Sequence, residues 1–220
     1  MTSELLTRSL AALAGNAIVV FARLVTAVRA EWDGVEPSPT QRIYYANHVS
    51  HGDFVLIWAV LPPRLRALTR PVAAAEYWLN NGLKRFIGTA VFRSVLIERE
   101  SNQRKADPVG QMCEALDAGD SLILFPEGTR NTGDANLLPF KSGLYHLAKA
   151  RSDIDLVPVW IDNLNRVLPK GEVVPIPLIC TVRLGTALRL MAGESKADFM
   201  LRARTALSDL STTDTGDIKA

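Results

Sequence analysis

The sequence predicts an α/β fold, a mixed or mostly parallel sheet flanked by helices, with an N-terminal helical membrane-associating element. Three observations lead there. Short apolar runs with β-strand character recur after Pro37 and Pro39: RIYYA at 42–46, SVLI at 94–97, SLILF at 121–125, DLVPVWI at 155–161 and LICTVRL at 178–184. Helical stretches separate several of them: Phe54 to Leu61, Ala106 to Ala118, Ser142 to Arg151 and Lys196 to Leu210. Strands that alternate with helices build a sheet covered on its faces. Third, 220 residues with 48% hydrophobic and 22% charged content can bury a core without covalent help. The two cysteines, Cys113 and Cys180, stand apart, which excludes a disulfide framework and a cysteine-rich zinc site.

From the amino end, Ser9 to Ala22 reads SLAALAGNAIVVFA, fourteen uncharged residues between Arg8 and Arg23. A bilayer span needs about 20 apolar residues, so the run is short for a crossing helix. The FARLVTAVRAEW that overlaps its end shows no cleavage signal. At helical period Leu6, Leu10, Leu13, Ala17, Phe21, Leu24 and Val28 share one broad face, and Ser9, Asn16 and Arg23 form a polar stripe. Such a helix can lie in the interface of an anionic membrane; it would equally serve as a first helix packed on the domain's own core. The expected organisation is therefore a helical element over 1–36, an α/β domain over 37–210, and a polar, disordered tail over 211–220.

The net charge of +2 is too small for a nucleic-acid footprint. Between Leu61 and Lys105, however, nine Lys or Arg stand against three acids. That local excess suits a phosphate-bearing ligand or an anionic membrane surface, and it also fits ordinary solvated charge.

Ligands gather at strand ends in α/β sheets, and two strand ends carry chemistry. RIYYA runs into Asn47-His48-Val49-Ser50-His51-Gly52-Asp53, with a helical run behind. Across such a turn a carboxylate at Asp53 can return to the His48 imidazole, fix its tautomer and leave the other nitrogen free to take a proton. A capping role for Ser50 and Asp53 is the structural alternative. His48-x-x-His51 has no third ligand cluster, since the only other histidine is His146, so no metal is expected. SLILF runs into Pro126-Glu127-Gly128-Thr129-Arg130. Gly128 permits tight backbone geometry and Arg130 offers a donor fork suited to phosphate. Glu127 could orient that arginine or accept a ligand hydroxyl, and a surface ion pair is the bland alternative. No nucleophile elbow, P-loop or dinucleotide fingerprint is present.

With both loops in view, the chain resembles the glycerolipid acyltransferase family, of the lysophosphatidate acyltransferase type. The family's N-H-x-x-x-x-D is read at Asn47 to Asp53 and its F-P-E-G-T-R at Phe125 to Arg130. An apolar strand ending in Arg is matched by Val95 to Arg99, and a Pro-bearing strand by Leu156 to Val159. F-K-x-G stands at Phe140 to Gly143. The glutamate before Arg99 departs from the smaller or aspartate-type residue expected there.

The resemblance covers roughly residues 40–190 and implies an O-acyltransferase of phospholipid biosynthesis. His48 would be the general base and Asp53 its support. Arg99, Glu127, Gly128, Thr129, Arg130 and Lys141 would hold the phosphorylated acceptor. It implies a 1-acyl-glycerol 3-phosphate acceptor, with glycerol 3-phosphate or a lyso-aminolipid as alternatives. The co-substrate would be a thioester of acyl-CoA or acyl carrier protein, with no resident cofactor, and the expected location is the cytoplasmic face of the cell membrane. An inactive membrane-binding module and an acyl-thioester hydrolase are the remaining alternatives.

Overall fold

The computed structural model describes residues 2–98, 107–133, 135–162 and 179–211. Its centre is a seven-stranded sheet. The strands in chain order are β1 (Arg29–Trp32), β2 (Arg42–Ala46), β3 (Thr69–Ala74), β4 (Val95–Ile97), β5 (Ser121–Leu124), β6 (Asp155–Asp162) and β7 (Thr181–Leu184). Their order across the sheet is β1-β7-β6-β2-β5-β3-β4. Strands β6, β2, β5, β3 and β4 run parallel; β7 is antiparallel to β6, and β1 is parallel to β7.

Among the described residues the helices are α1 (Thr2–Thr26), α2 (Asp53–Val60), α3 (Pro63–Ala67), α4 (Ala75–Trp78), α5 (Gly82–Phe86), α6 (Pro108–Asp117), α7 (Gly143–Ala150) and α8 (Lys196–Asp209), with a π-helical turn at Ile87–Val91. Strand alternation divides the core in two. Tyr44, Ala46, Ile123 and Val157 pack on one face with α1 and α2. Ile43, Tyr45, Leu122, Leu124 and Leu156 pack on the other with α6, α7 and α8. Helix α2 is apolar nearly all round, DFVLIWAV, because it is covered twice: the sheet lies on one side and α1 on the other.

Pro158 stands in a central strand, where the missing N–H would normally break a ladder. Here its carbonyl accepts from Gly185 N, and the β6–β7 ladder begins only at Val159 with Leu184. The next pairing is an isolated bridge from Leu156 to Leu188, so the absent donor falls in the gap.

The five predicted strands and four predicted helices are present with ends shifted by a few residues, as far as the described residues reach. Two expectations are corrected. The helical element expected over 1–36 ends at Thr26, and 29–32 is an edge strand of the sheet. The first helix is also longer than its uncharged stretch: Glu4–Thr26, 23 residues of mean hydropathy 1.7, is long and apolar enough to cross a membrane by length and composition. Strand β3, TRPVAA, escaped the sequence reading because Pro71 and two alanines give no β period. Residues 212–220, most of the expected tail, lie outside the described residues.

Neighbouring strands β2 and β5 send their connections to opposite faces, through α2 and through α7. The crevice between their carboxyl ends is thus a topological switch point, where α/β sheets place ligands.

Candidate active site

His48 sits two residues beyond β2. Asn47 anchors that turn by imitating a strand pair: its Nδ2 donates to Ile161 O (3.0 Å) and its Oδ1 accepts from Ile161 N (2.8 Å). The chain then bends so that Asp53, the first residue of α2, comes back to the imidazole. His48 Nδ1 and Asp53 Oδ2 are 2.7 Å apart. The same oxygen accepts from Val49 N (2.7 Å) and Ser50 N (2.9 Å), and the Asp53 carboxylate is fully buried. A carboxylate held by three donors keeps the His48 proton on Nδ1 and leaves Nε2 as the acceptor. The imidazole also lies flat on Phe125, with ring centroids 4.2 Å apart. Ser50 does not cap α2; Gly52 holds the N-cap position without a side-chain bond.

The loop after β5 wraps the same turn. Glu127 Oε1 accepts from His48 N (2.8 Å), its Oε2 accepts from Leu138 N (2.8 Å), and Asn131 N donates to His48 O (2.6 Å). Glu127 is only 2% exposed and does not line the cavity described below. Burial pushes its carboxyl above the ordinary value, against the pull of the Leu138 and His48 N–H groups. Each Glu127 oxygen accepts from a backbone N–H, so in this structure the residue ties two loops together and neither pairs with Arg130 nor lines the cavity. Asn131, buried and bonded to the His48 carbonyl, had no signal in the sequence beyond its place after Arg130.

Gly128 takes φ +70°, and a Cβ there would stand 2.7–2.8 Å from Cδ, Cε and Nζ of Lys141. The left-handed backbone calls for glycine, and a Cβ would also push aside the flexible end of the Lys141 side chain. Thr129 and Arg130 follow, exposed, and no described carboxylate pairs with Arg130. Burial first, then the Arg130 charge, hold His51 below the usual histidine range. His51 stacks on Tyr77 (5.0 Å), and Lys84 Nζ lies 4.3 Å from that ring's centroid. Arg99 lies outside the described residues.

His48, Gly128, Thr129, Arg130 and Lys141 open on one cavity of about 600 Å³. Its other half is apolar, with Val72, Ile97, Met112, Leu124 and Leu144 drawn from β3, β4, α6, β5 and α7. One compartment thus offers a base, cations and a greasy wall. No group of three or more His, Cys, Asp or Glu that could hold a metal is found among the described residues. Cys113 is partly buried and Cys180 buried, and neither lines the cavity.

The Acyltransferase family model matches residues 29–162, which hold β1 through β6 and both loops. Relatives include the 1-acyl-sn-glycerol-3-phosphate acyltransferase of Limnanthes alba, 31% identical over 160 residues, covering 67% of this chain and 51% of that protein. The Haemophilus influenzae protein of the same name is 27% identical over 140 residues, covering 58% and 52%. The chain spans about half the length of the curated relatives it matches. Among solved structures, the 1-acyl-sn-glycerophosphate (LPA) acyltransferase PlsC of Thermotoga maritima superposes with a TM-score of 0.71, over 93% of this chain and 81% of that one, at 20% identity; it shares the fold. A family match over more than half of the chain, on the span that carries both loops, makes this protein a member of the acyltransferase family.

Proposed function

We propose that the chain is an O-acyltransferase that moves a fatty acyl group from a thioester to the free hydroxyl of 1-acyl-glycerol 3-phosphate, giving phosphatidate. The observation that carries this reading is the His48–Asp53 pair opening on the same cavity as Arg130 and Lys141. The acceptor hydroxyl gives its proton to His48 Nε2 as its oxygen attacks the thioester carbonyl. The C–S bond breaks, and the departing thiolate takes the proton from His48 as the free thiol. Arg130 and Lys141 hold the phosphate, with Gly128 and Thr129 shaping the backbone around it and Arg99 as a further cation. The apolar half of the cavity receives an acyl chain. Positioning of this kind supplies much of the barrier reduction. The donor thioester is carried by coenzyme A or acyl carrier protein, and the chain works at the cytoplasmic face of the membrane, with α1 on the lipid surface.

The test is transfer from labelled acyl-CoA, and in parallel acyl carrier protein, to 1-acyl-glycerol 3-phosphate. Wild type should form phosphatidate, and His48→Ala should lose turnover by about 10² or more with its thermal midpoint little changed. Equal turnover in the two proteins removes His48 from the mechanism. Release of free fatty acid without acceptor would instead point to a hydrolase.

A further inference from the structure

Helix α1 meets the domain through one stripe and presents another outward. Ala11, Val19, Ala22 and Thr26 are buried, and Gly15 packs with a Cβ position 3.2 Å from Trp58. Leu6, Leu13, Phe21 and Leu24 are 64–79% exposed. Small residues let the helix approach α2 closely, while the larger apolar side chains remain uncovered.

Two arginines gather where this stripe ends. Arg23 Nη2 donates to Ala59 O (2.8 Å), and Arg66 Nη2 donates to Leu61 O (3.1 Å). Both guanidiniums therefore stand at the carboxyl end of α2, and Arg66 lies over the Trp58 ring at 5.3 Å. Among the described residues neither has a carboxylate partner. The Nε of Arg66 is buried without a hydrogen-bond partner. Burial, and then the Arg23 charge, hold Arg66 below the usual guanidinium range. On helical spacing Arg23 lies beside the outward stripe, three residues from Val20 and next to Leu24. Each guanidinium spends one donor on a carbonyl at the carboxyl end of α2 and has no described carboxylate, which leaves room for an anion, and the neighbouring leucines need an apolar medium. A phosphate attached to an acyl chain meets both needs.

We propose that Arg23 and Arg66 bind the phosphate of an anionic phospholipid, with α1 lying in the plane of the bilayer and its outward leucines among the acyl chains. The inference rests on the membrane part of the reading above and is independent of the chemistry at His48. Although α1 is long enough to cross a bilayer, a crossing would strip Ala11, Val19 and Ala22 from their packing; the in-plane pose keeps it.

The experiment is co-sedimentation of the full chain with vesicles of phosphatidylcholine alone and of phosphatidylcholine with phosphatidylglycerol. Wild type should prefer the anionic vesicles, and added salt should weaken that preference. The double variant Arg23→Gln/Arg66→Gln should lose about thirtyfold of the preference, as expected for two cations near an anionic surface, while its binding to neutral vesicles persists. Arg23→Lys/Arg66→Lys should retain it. A Gln variant that keeps the anionic preference overturns the phosphate site while leaving membrane binding intact. Absence of wild-type binding to either vesicle overturns the membrane reading as well. If the Gln variant does not fold, salt-indifferent binding by wild type overturns the site. Two further results overturn the bilayer as occupant: a lipid-free dimer that protects the outward α1 face, or equal saturation of the arginines by inorganic phosphate with no vesicle preference.

Discussion

The peptide of His48 is held from both sides, its N–H by Glu127 and its C=O by Asn131, while its ring is held by Asp53 and Phe125. This gives Glu127 a positioning role, and Glu127→Gln tests it. A glutamine has only one acceptor oxygen for two N–H groups, so either His48 N or Leu138 N loses its partner, at a cost of about 1–3 kcal/mol. Turnover should fall with little change in the acceptor KM, the split expected when a base is misplaced and the phosphate grip is intact. A rise confined to the acceptor KM would return Glu127 to the substrate. The same residue predicts a pH effect. Its folded carboxyl titrates above the ordinary value of 4.5, so the protonated form favours the fold. That contribution is complete below the unfolded value and is lost as pH rises through the raised folded value. Denaturant midpoints measured upward from about 4.5 should therefore decline less in Glu127→Gln than in wild type.

Two elements deliver the site, and each depends on one residue that no substitute matches. The turn after β2 is fastened to β6 through Asn47, whose side chain pairs with both backbone groups of Ile161. Asn47→Ala leaves a buried donor and a buried acceptor unpaired. Stability should drop by roughly 2–4 kcal/mol, read as a lowered denaturation midpoint, with turnover falling in parallel because His48 rides on that turn. The loop after β5 depends on Gly128. A Gly128→Ala variant meets both the left-handed backbone and the Lys141 stem, so a loss of about 1–3 kcal/mol is expected. Its acceptor KM should rise, since Lys141 must leave its place. An unchanged KM in a folded Gly128→Ala protein would take Lys141 away from the phosphate.

On the scale of the molecule, the sheet, the cavity and α1 form one arrangement. Helix α1 covers α2, α2 begins at Asp53, and Asp53 fixes His48. Removing α1 would uncover Trp58 and Val91, so the surface is better tested by changing only its outward side chains. Leu6→Ser/Leu13→Ser/Leu24→Ser replaces residues that are 64–79% exposed. The variant should bind vesicles less than wild type and melt at nearly the same temperature, because none of these side chains packs in the core. A large loss of thermal stability would instead show that this face is buried in the working protein.

Much of this was legible in the chain. Apolar runs of the right length and the helical stretches between them gave the α/β class, since period and composition are local properties. Both loops were legible because a histidine and an aspartate behind one strand, and a glycine and an arginine behind another, leave short-range signatures. The approach of Asp53 to His48 across five residues was inferable for the same reason. Strand β1 was not, because RAEW pairs with Thr181–Leu184, a partner some 150 residues away that sets its conformation. The destination of Glu127 was also closed to the sequence: one partner, Leu138 N, lies eleven residues on in its own loop, and the other, His48 N, lies 79 residues back on the turn after β2. The outward turn of α1 was likewise undecided, because a helix with apolar residues on more than one side can bury any of them. Small residues settled the choice: Ala11 and Ala22 are buried in the core, and Gly15 fits against Trp58 and Val91. Local pattern determined the kinds of element and the chemistry they carry; packing decided which groups meet, because hydrogen-bond partners and covered faces depend on chain segments far apart in sequence.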